Sequence, residues 1–140
     1  SPNTHAHLMG YYAVPQIGAV TVPINFRLTA DDFAYILRHS GAKVVCAHPD
    51  YFEAIERIRE KTPDVQHLVA LEGSSEGWLD YEALLAAASP DFKPAVINET
   101  DIISINYTSG TTANPKGVMV THRNTALNIM GARFEETRRR

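Results

Sequence analysis

Short apolar segments alternate with helical patterns along most of this chain. The apolar segments read "AVTVPI", "KVVCAH", "VQHLVAL", "DIISINY" and "GVMVT", and they begin at residues 19, 43, 65, 101 and 117. Strands that are covered on both faces lose the alternation of apolar and polar residues, so such runs are typical of buried strands in a parallel sheet. The order of the segments therefore predicts an α/β domain with a largely parallel sheet and flanking helices.

Between these segments lie stretches in which apolar residues recur at helical spacing. The clearest helix lies in "LTADDFAYILRHSGAK", residues 28–43, where Thr29 is a suitable N-cap and Gly41 allows a left-handed exit. Asp32 stands three residues after Thr29, where its carboxylate can reach back to the backbone of the cap. Further helices are predicted from Thr4 to about Gly18, in "DYFEAIERIREK" with Phe52, Ile55 and Ile58 facing inward, in "LDYEALLAAA", and from about His122 to the end.

Only a short hydroxyl-rich stretch separates the last two strands. It lies in "YTSGTTANPKG", residues 107–117, between "DIISINY" and "GVMVT". A parallel pair would need a crossover of a dozen residues or more, so these two strands are predicted to pair antiparallel around a loop. A loop held between two rigid elements is a common place for a binding site.

The residue types in this loop suit phosphate groups. Backbone N–H groups, small hydroxyls and one ammonium donate to dense negative charge without filling the space. Gly110 permits close approach of the backbone, and Pro115 restricts the chain before Lys116. The Walker A loop is excluded, because it needs glycine before the lysine and Ser or Thr after it, whereas Pro115 and Gly117 occupy those positions. From the residue types alone, an ordinary Ser/Thr-rich turn remains an alternative.

Composition narrows the class of protein further. The 140 residues carry a formal net charge of −3, which leaves no general basic surface for nucleic acid, and residues 138–140, all arginine, are interpreted as a solvated helix end. Cys46 is the only cysteine, so no internal disulfide can form, and it is interpreted as a small buried hydrophobe. No apolar run approaches the ~18 residues of a membrane-spanning helix, and residues 1–10 lack a secretory signal. These features predict a cytoplasmic protein.

The hydroxyl-rich loop resembles the phosphate-binding signature of the adenylate-forming superfamily, the acyl-CoA synthetases and their relatives. The pattern of that family is Y/F-T/S-S-G-S/T-T-G-x-P-K-G, and "YTSGTTANPKG" meets every position except Ala113, where the family has glycine. The following "GVMVTHRN" and the upstream "GAVTVPINFRLTADDFAYILRHSGAKVV" are also similar to segments of these enzymes. The resemblance thus covers nearly the whole chain, and "PINFRL" is closer to fatty-acyl and related CoA ligases than to peptide-synthetase adenylation domains.

The resemblance implies an ATP-dependent activation of a carboxylic acid, a fatty acid in particular, to an acyl-adenylate and then to acyl-CoA. It implies ATP, Mg²⁺ and coenzyme A as cofactors and a small-molecule carboxylic acid as partner. The resemblance assigns no catalytic residue and no metal ligand within residues 1–140, and it leaves the oligomeric state open. The loop residues expected to hold the ATP phosphates are Thr108, Ser109, Gly110, Thr111, Thr112, Ala113, Asn114, Pro115 and Lys116.

The resemblance also implies that residues 1–140 are an internal portion of a large N-terminal AMP-binding domain. In the family, this portion is followed by the later segments of that domain and by a mobile C-terminal lid domain. This sequence contains neither. We therefore expect the 140 residues alone to be inactive, since a phosphate loop without the acid pocket cannot align the reacting atoms. The alternative is a non-catalytic nucleotide-binding or structural fragment of such a protein.

Histidines outside the loop have simpler interpretations. His122 is interpreted as a helix-start residue that makes local hydrogen bonds rather than as a group that polarises substrate. His5 and His7 are two residues apart in a predicted helix, which places them on different faces and argues against a metal pair.

Ala113 generates a first prediction. If the glycine of the family adopts a left-handed backbone at this position, alanine costs roughly 1 kcal/mol or more there. Ala113→Gly in the full-length protein should therefore tighten ATP binding or leave it unchanged, as measured by titration calorimetry. Clearly weaker ATP binding by the glycine variant would contradict this account of the backbone.

Overall fold

The computed structural model describes residues 4–108 and 114–138, apart from the side chains of residues 136 and 137. The described helices are α1 (His5–Gln16), α2 (Ala30–Ser40), α3 (Phe52–Arg57), α4 (Tyr81–Ala87) and α5 (His122–Arg138). The described strands are β1 (Val44–Ala47), β2 (His67–Ala70), β3 (Leu79–Asp80), β4 (Ile102–Thr108) and β5 (Lys116–Thr121). Short 3-10 turns at Pro49–Tyr51 and Arg59–Lys61 flank α3.

The strands form two sheets. In the first, β1, β2 and β3 lie side by side and run parallel, with Val44 opposite His67 and Val69 opposite Leu79. In the second, β4 and β5 pair antiparallel, from Ile102 opposite Thr121 to Thr108 opposite Lys116. The predicted α/β class, with a parallel sheet, flanking helices and an antiparallel pair beside the hydroxyl-rich loop, is confirmed.

Helix α2 shares one hydrophobic core with α3 and the parallel sheet. Its apolar residues recur at helical spacing, and Phe33, Ala34, Ile36 and Leu37 are buried. Phe33, Ala34 and Leu37 join a core that is completed by Val45 of β1, Ile55 of α3, Ile58 just after α3, and Leu68 of β2. Burial of these side chains, rather than helix propensity, holds α2 in place.

Both ends of α2 have the predicted caps. The Thr29 side chain accepts a hydrogen bond from the backbone N–H of Asp32 (3.3 Å), and the Asp32 carboxylate accepts one from the backbone N–H of Thr29 (3.0 Å). The hydroxyl of Thr29 also donates to that carboxylate (2.7 Å). At the other end Gly41 has φ of 66°, a left-handed conformation that disfavours residues with a Cβ.

Three predicted elements differ in the structure. The helix predicted for residues 79–88 begins at Tyr81, because Leu79 and Asp80 form β3 and pair with β2. The strand predicted for residues 19–24 is reduced to one parallel bridge, in which Thr21 pairs with Ser104 of β4. Pro23 has no N–H group, so a longer ladder could not continue through it. The helix predicted for residues 50–61 is interrupted after Arg57, where Ile58 leaves the helical region (φ −106°, ψ 3°). Ile55 and Ile58 nevertheless face inward as predicted, whereas Phe52 is half-buried and packs on Trp78.

Burial also differs from the sequence-based expectations at β1 and β4. Cys46 lies on the exposed side of β1, not in the core, although partial desolvation raises the pKa of its thiol. Residues 102–107 of β4 are half-buried rather than buried, because within the described residues this strand pairs only with β5 and with Thr21.

No helix among the described residues has the length and apolar character needed to cross a membrane.

The capping box of α2 generates a stability prediction. Thr29→Ala removes the side-chain acceptor for the Asp32 N–H, which should lower the free energy of unfolding by about 1 kcal/mol in urea denaturation. The hydrogen bonds from Thr29 lower the pKa of the Asp32 carboxyl. Since the ionised form is the one favoured by folding, this contribution is present at neutral pH and is lost as pH falls through the lowered pKa.

Thr29→Ser is the matched control, because serine keeps the hydroxyl and is an equally good N-cap. Equal loss of stability in the serine and alanine variants would contradict the assignment of the effect to the capping hydrogen bond.

Candidate functional site

The structure places the two ends of the predicted phosphate loop opposite each other. Thr108 is the last residue of β4 and Lys116 is the first of β5, and they form the final pair of the antiparallel ladder. Directly opposed residues have Cβ atoms about 4.5–5.5 Å apart and side chains on one face. Asn114 and Pro115 lead into this pair, whereas five of the predicted site residues, Ser109, Gly110, Thr111, Thr112 and Ala113, lie outside the described residues.

The described ends of the loop are accessible to a ligand. Thr108, Asn114 and Lys116 are exposed, and Pro115 is half-buried. Within residues 4–108 and 114–138, no carboxylate lies in ion-pair range of the Lys116 ammonium, although Lys43 and Lys61 each pair with an aspartate. A hydroxyl and an unneutralised ammonium at one end of a hairpin fit a polyphosphate, which needs donors and positive charge.

The pair before the loop is Tyr107 opposite Gly117. A Cβ added to Gly117 would lie 2.9 Å from Cγ2 of Ile105 and 3.3 Å from Cζ of Tyr107. The ring of Tyr107 therefore covers the Gly117 backbone, and glycine is required for this close approach. Because side chains alternate along a strand, Tyr107 and Ile105 lie on the opposite face of the hairpin from Thr108.

The same tyrosine reaches helix α2. Its hydroxyl oxygen lies 2.7 Å from Nδ1 of His39, and the two rings meet edge to face with centroids 5.7 Å apart. His39 in turn stacks on Tyr35, one helical turn earlier, at 5.4 Å. Desolvation raises the pKa of Tyr107, with a smaller contribution from Tyr35, so the phenol stays protonated at neutral pH. This aromatic cluster of Tyr35, His39 and Tyr107 joins the loop end of the hairpin to α2.

The far end of the hairpin passes directly into α5. The Thr121 hydroxyl accepts from the backbone N–H of Asn124 (3.1 Å), and the Asn124 side-chain oxygen accepts from the backbone N–H of Thr121 (3.2 Å). Arg123 pairs with the Glu99 carboxylate and lowers its pKa. The backbone N–H of His122 donates to the carbonyl of Asp101 (3.1 Å), which lies just before β4.

An open groove of about 490 Å³ lies beside this far end rather than at the loop. Gly18, Val20, Thr100 and His122 are among its lining residues. Across the described parts of the chain, no three His, Cys, Asp or Glu side chains are grouped so as to hold a metal ion. The lining of this groove does not include Thr108 or Lys116, the described ends of the predicted phosphate loop.

Sequence reasoning did not find the aromatic cluster. Tyr35 and His39 are four residues apart and so share one face of α2, which the sequence indicates. Their contact with Tyr107, however, joins residues separated by 68 positions in the chain, and no local pattern signals it. Gly117 is also part of the signature that the sequence shows, but its packing against Tyr107 depends on the strand register.

Similar proteins include several CoA ligases. A long-chain-fatty-acid–CoA ligase of Thermus thermophilus is 38% identical over 131 residues, which cover 93% of this chain and 24% of that protein. A medium-chain-fatty-acid–CoA ligase of Ectopseudomonas oleovorans is 32% identical over 96% of this chain and 26% of its own length. The chain thus spans about a quarter of the length of the curated relatives that it matches.

Solved structures have the same fold over this region. The anthranilate CoA ligase AuaEII, in complex with anthranoyl-AMP, superposes with a TM-score of 0.82 at 32% identity, covering 86% of this chain and 23% of that one. A long-chain-fatty-acid–CoA ligase (FadD1) of Archaeoglobus fulgidus superposes with a TM-score of 0.80 at 32% identity, covering 92% and 25% of the two chains.

The close contact at Gly117 generates a prediction. Gly117→Ala should lower the free energy of unfolding by about 1–3 kcal/mol, because Ile105 and Tyr107 must move to admit a methyl group. The matched control is Gly131→Ala in α5, where an added Cβ meets no described atom within 4 Å. There alanine should be neutral or stabilise by about 0.5–1 kcal/mol through helix propensity. Urea denaturation measures both, and equal effects would contradict the packing of Tyr107 on Gly117.

A family model agrees with these likenesses across the whole chain. The model described as "AMP-binding enzyme" matches residues 1–140. Together with relatives above 30% identity and the shared fold, this match identifies the chain as a member of the AMP-binding enzyme family.

Proposed function

We propose that these residues hold the triphosphate of ATP in an AMP-forming acyl-CoA ligase. The observation that carries the proposal is the terminal pair of the β4–β5 ladder, where the exposed Thr108 hydroxyl and Lys116 ammonium flank the hydroxyl-rich segment. Membership of the AMP-binding enzyme family supports ATP as the nucleotide, and the CoA ligases among the relatives support coenzyme A as the acceptor.

In the proposed reaction a substrate carboxylate attacks the α-phosphorus of ATP. The bond from the α-phosphorus to the bridging oxygen breaks, pyrophosphate leaves, and an acyl-adenylate forms. Lys116 and the hydroxyl groups of Thr108, Ser109, Thr111 and Thr112 would stabilise the charge that builds on the departing pyrophosphate, which is an electrostatic and positional role. Mg²⁺, when bound, would neutralise part of the phosphate charge. The thiolate of coenzyme A would then displace AMP and form the thioester.

We further propose that residues 1–140 are part of the large N-terminal domain of a longer ligase. The matched relatives are about four times as long, and their CoA ligase names describe the whole proteins. Under this proposal the remaining residues of the domain and the C-terminal lid domain supply the adenine site, the acid pocket and the catalytic groups. The 140 residues alone would then leave the carboxylate unpositioned and would not catalyse the reaction.

A fatty acid is the proposed substrate class. The similar ligases of Thermus thermophilus and Ectopseudomonas oleovorans are named for long-chain and medium-chain fatty acids, which supports this choice. Other relatives are named for aromatic acids, including benzoate and anthranilate. Substrate preference is therefore to be tested across aliphatic and aryl acids together. A cytoplasmic location and the absence of a nucleic-acid partner remain predictions from composition.

Lys116 is the residue that tests this proposal most sharply. Lys116→Ala in the full-length protein should lower kcat/KM for ATP about 10- to 100-fold in ATP–pyrophosphate exchange with a panel of carboxylic acids, because one charged donor to the leaving group is lost. Lys93→Ala is the matched control, since Lys93 is equally a lysine but lies exposed in the connector before β4. The control should exchange at the wild-type rate.

A wild-type protein that exchanges pyrophosphate with none of the acids would favour the alternative, a non-catalytic nucleotide-binding or structural protein. Ala113, in place of the glycine expected from the motif, is the residue that favours this alternative. Active wild type with undiminished exchange in Lys116→Ala would instead contradict the role of the loop.

A further inference from the structure

Among the described residues, the loop end of the β4–β5 hairpin meets helix α2 through the side-chain contact of Tyr107 with His39. Within the described residues the two sheets share no pair of strands, and the bridge at Thr21 meets β4 near its middle, at Ser104. Beyond that bridge, the hydrogen bond between Tyr107 and His39 is what connects the last residues of β4 to helix α2. The placement of Thr108 and Lys116 relative to α2 therefore depends on this contact.

Helix α2 is a rigid support for it. Four of its residues are buried, with Ile36 fully inaccessible and Ala34 2% exposed, and both of its ends are capped. His39 lies in the last turn of α2, two residues before the Gly41 C-cap. Its ring stacks on Tyr35. The stack orients the imidazole, and its Nδ1 lies 2.7 Å from the Tyr107 hydroxyl oxygen.

Tyr107 transmits this constraint to the predicted phosphate site. Its ring is held between His39 on one side and the Gly117 backbone on the other, so it contacts both strands of the hairpin. The next residues along the two strands are Thr108 and Lys116, with Cα atoms about 3.8 Å from those of Tyr107 and Gly117. Binding sites require such groups to be held within about 0.5 Å, because small misplacements cost large factors in rate.

We propose that His39 is a positioning residue for ATP binding: through Tyr107 it sets where Thr108 and Lys116 stand when they meet the phosphates. His39 acts from the rear face of the hairpin and touches no substrate. This inference rests on the function proposed above, and it adds a residue of α2 to a site that the motif alone confines to residues 108–116.

A double-mutant cycle on the full-length protein tests the inference. The variants are His39→Ala, Tyr107→Phe and the two together, assayed by ATP–pyrophosphate exchange well below the melting temperature. Each single substitution should raise KM for ATP about 3- to 10-fold, the range expected for the loss of one hydrogen bond that orders the site. The double variant should be no worse than the single variants, because both remove the same interaction.

Two further measurements separate positioning from a general loss of stability. KM for the carboxylic acid should stay unchanged, and His39→Asn should recover part of the affinity for ATP, because its amide places a polar atom near the position of Nδ1. Arg38→Ala is the matched control on the adjoining exposed position of the same turn, and it should leave KM for ATP unchanged.

The outcomes are distinguishable. Wild-type exchange with an unchanged KM for ATP in His39→Ala would overturn this inference and leave the proposed function standing. Single effects that multiply in the double variant, or a rise in both KM values together with a lower melting temperature, would also overturn it. No exchange by the wild type with any acid would overturn the proposed function, and the inference with it.

Discussion

The antiparallel ladder between β4 and β5 determines where the hydroxyl-rich segment begins and ends. Its last pair, Thr108 opposite Lys116, brings a hydroxyl and an ammonium from the two sides of the loop to one end of the hairpin. The ladder depends in turn on Gly117, which admits the Tyr107 ring, and Tyr107 meets His39 on the helix that is packed most deeply in the core. The proposed phosphate site is thus tied to the hydrophobic packing of α2 through three neighbouring contacts.

Local signals explain most of the fold that the sequence predicts. Thr29, Asp32 and Gly41 define α2 at both ends because caps are short-range interactions, and the structure has each of their predicted contacts. The antiparallel direction of β4 and β5 follows from the length of the loop between them, which excludes a crossover. The α/β class of the fold can be predicted from the order of such elements alone.

The errors lie where tertiary context overrides local pattern. Residues 19–24 are apolar enough for a strand, yet Thr21 alone pairs, since Pro23 cannot donate to a ladder. The segment after Arg57 departs from helical geometry although its apolar spacing continues, and Ile58 is still buried. Cys46 is exposed because only alternate residues of β1 face the core. The assignment of residues 108–116 to the phosphates stays a prediction from the motif, whereas the contact of His39, which stacks on Tyr35, with Tyr107 joins residues distant in the chain and has no local signal.

A crystal structure of the full-length protein with a non-hydrolysable ATP analogue tests the central claim most directly. The account predicts that the β- and γ-phosphates lie within hydrogen-bonding distance of residues 108–116, with the Lys116 ammonium among the donors. An analogue bound with its phosphates elsewhere, and with this segment facing away from them, would contradict it.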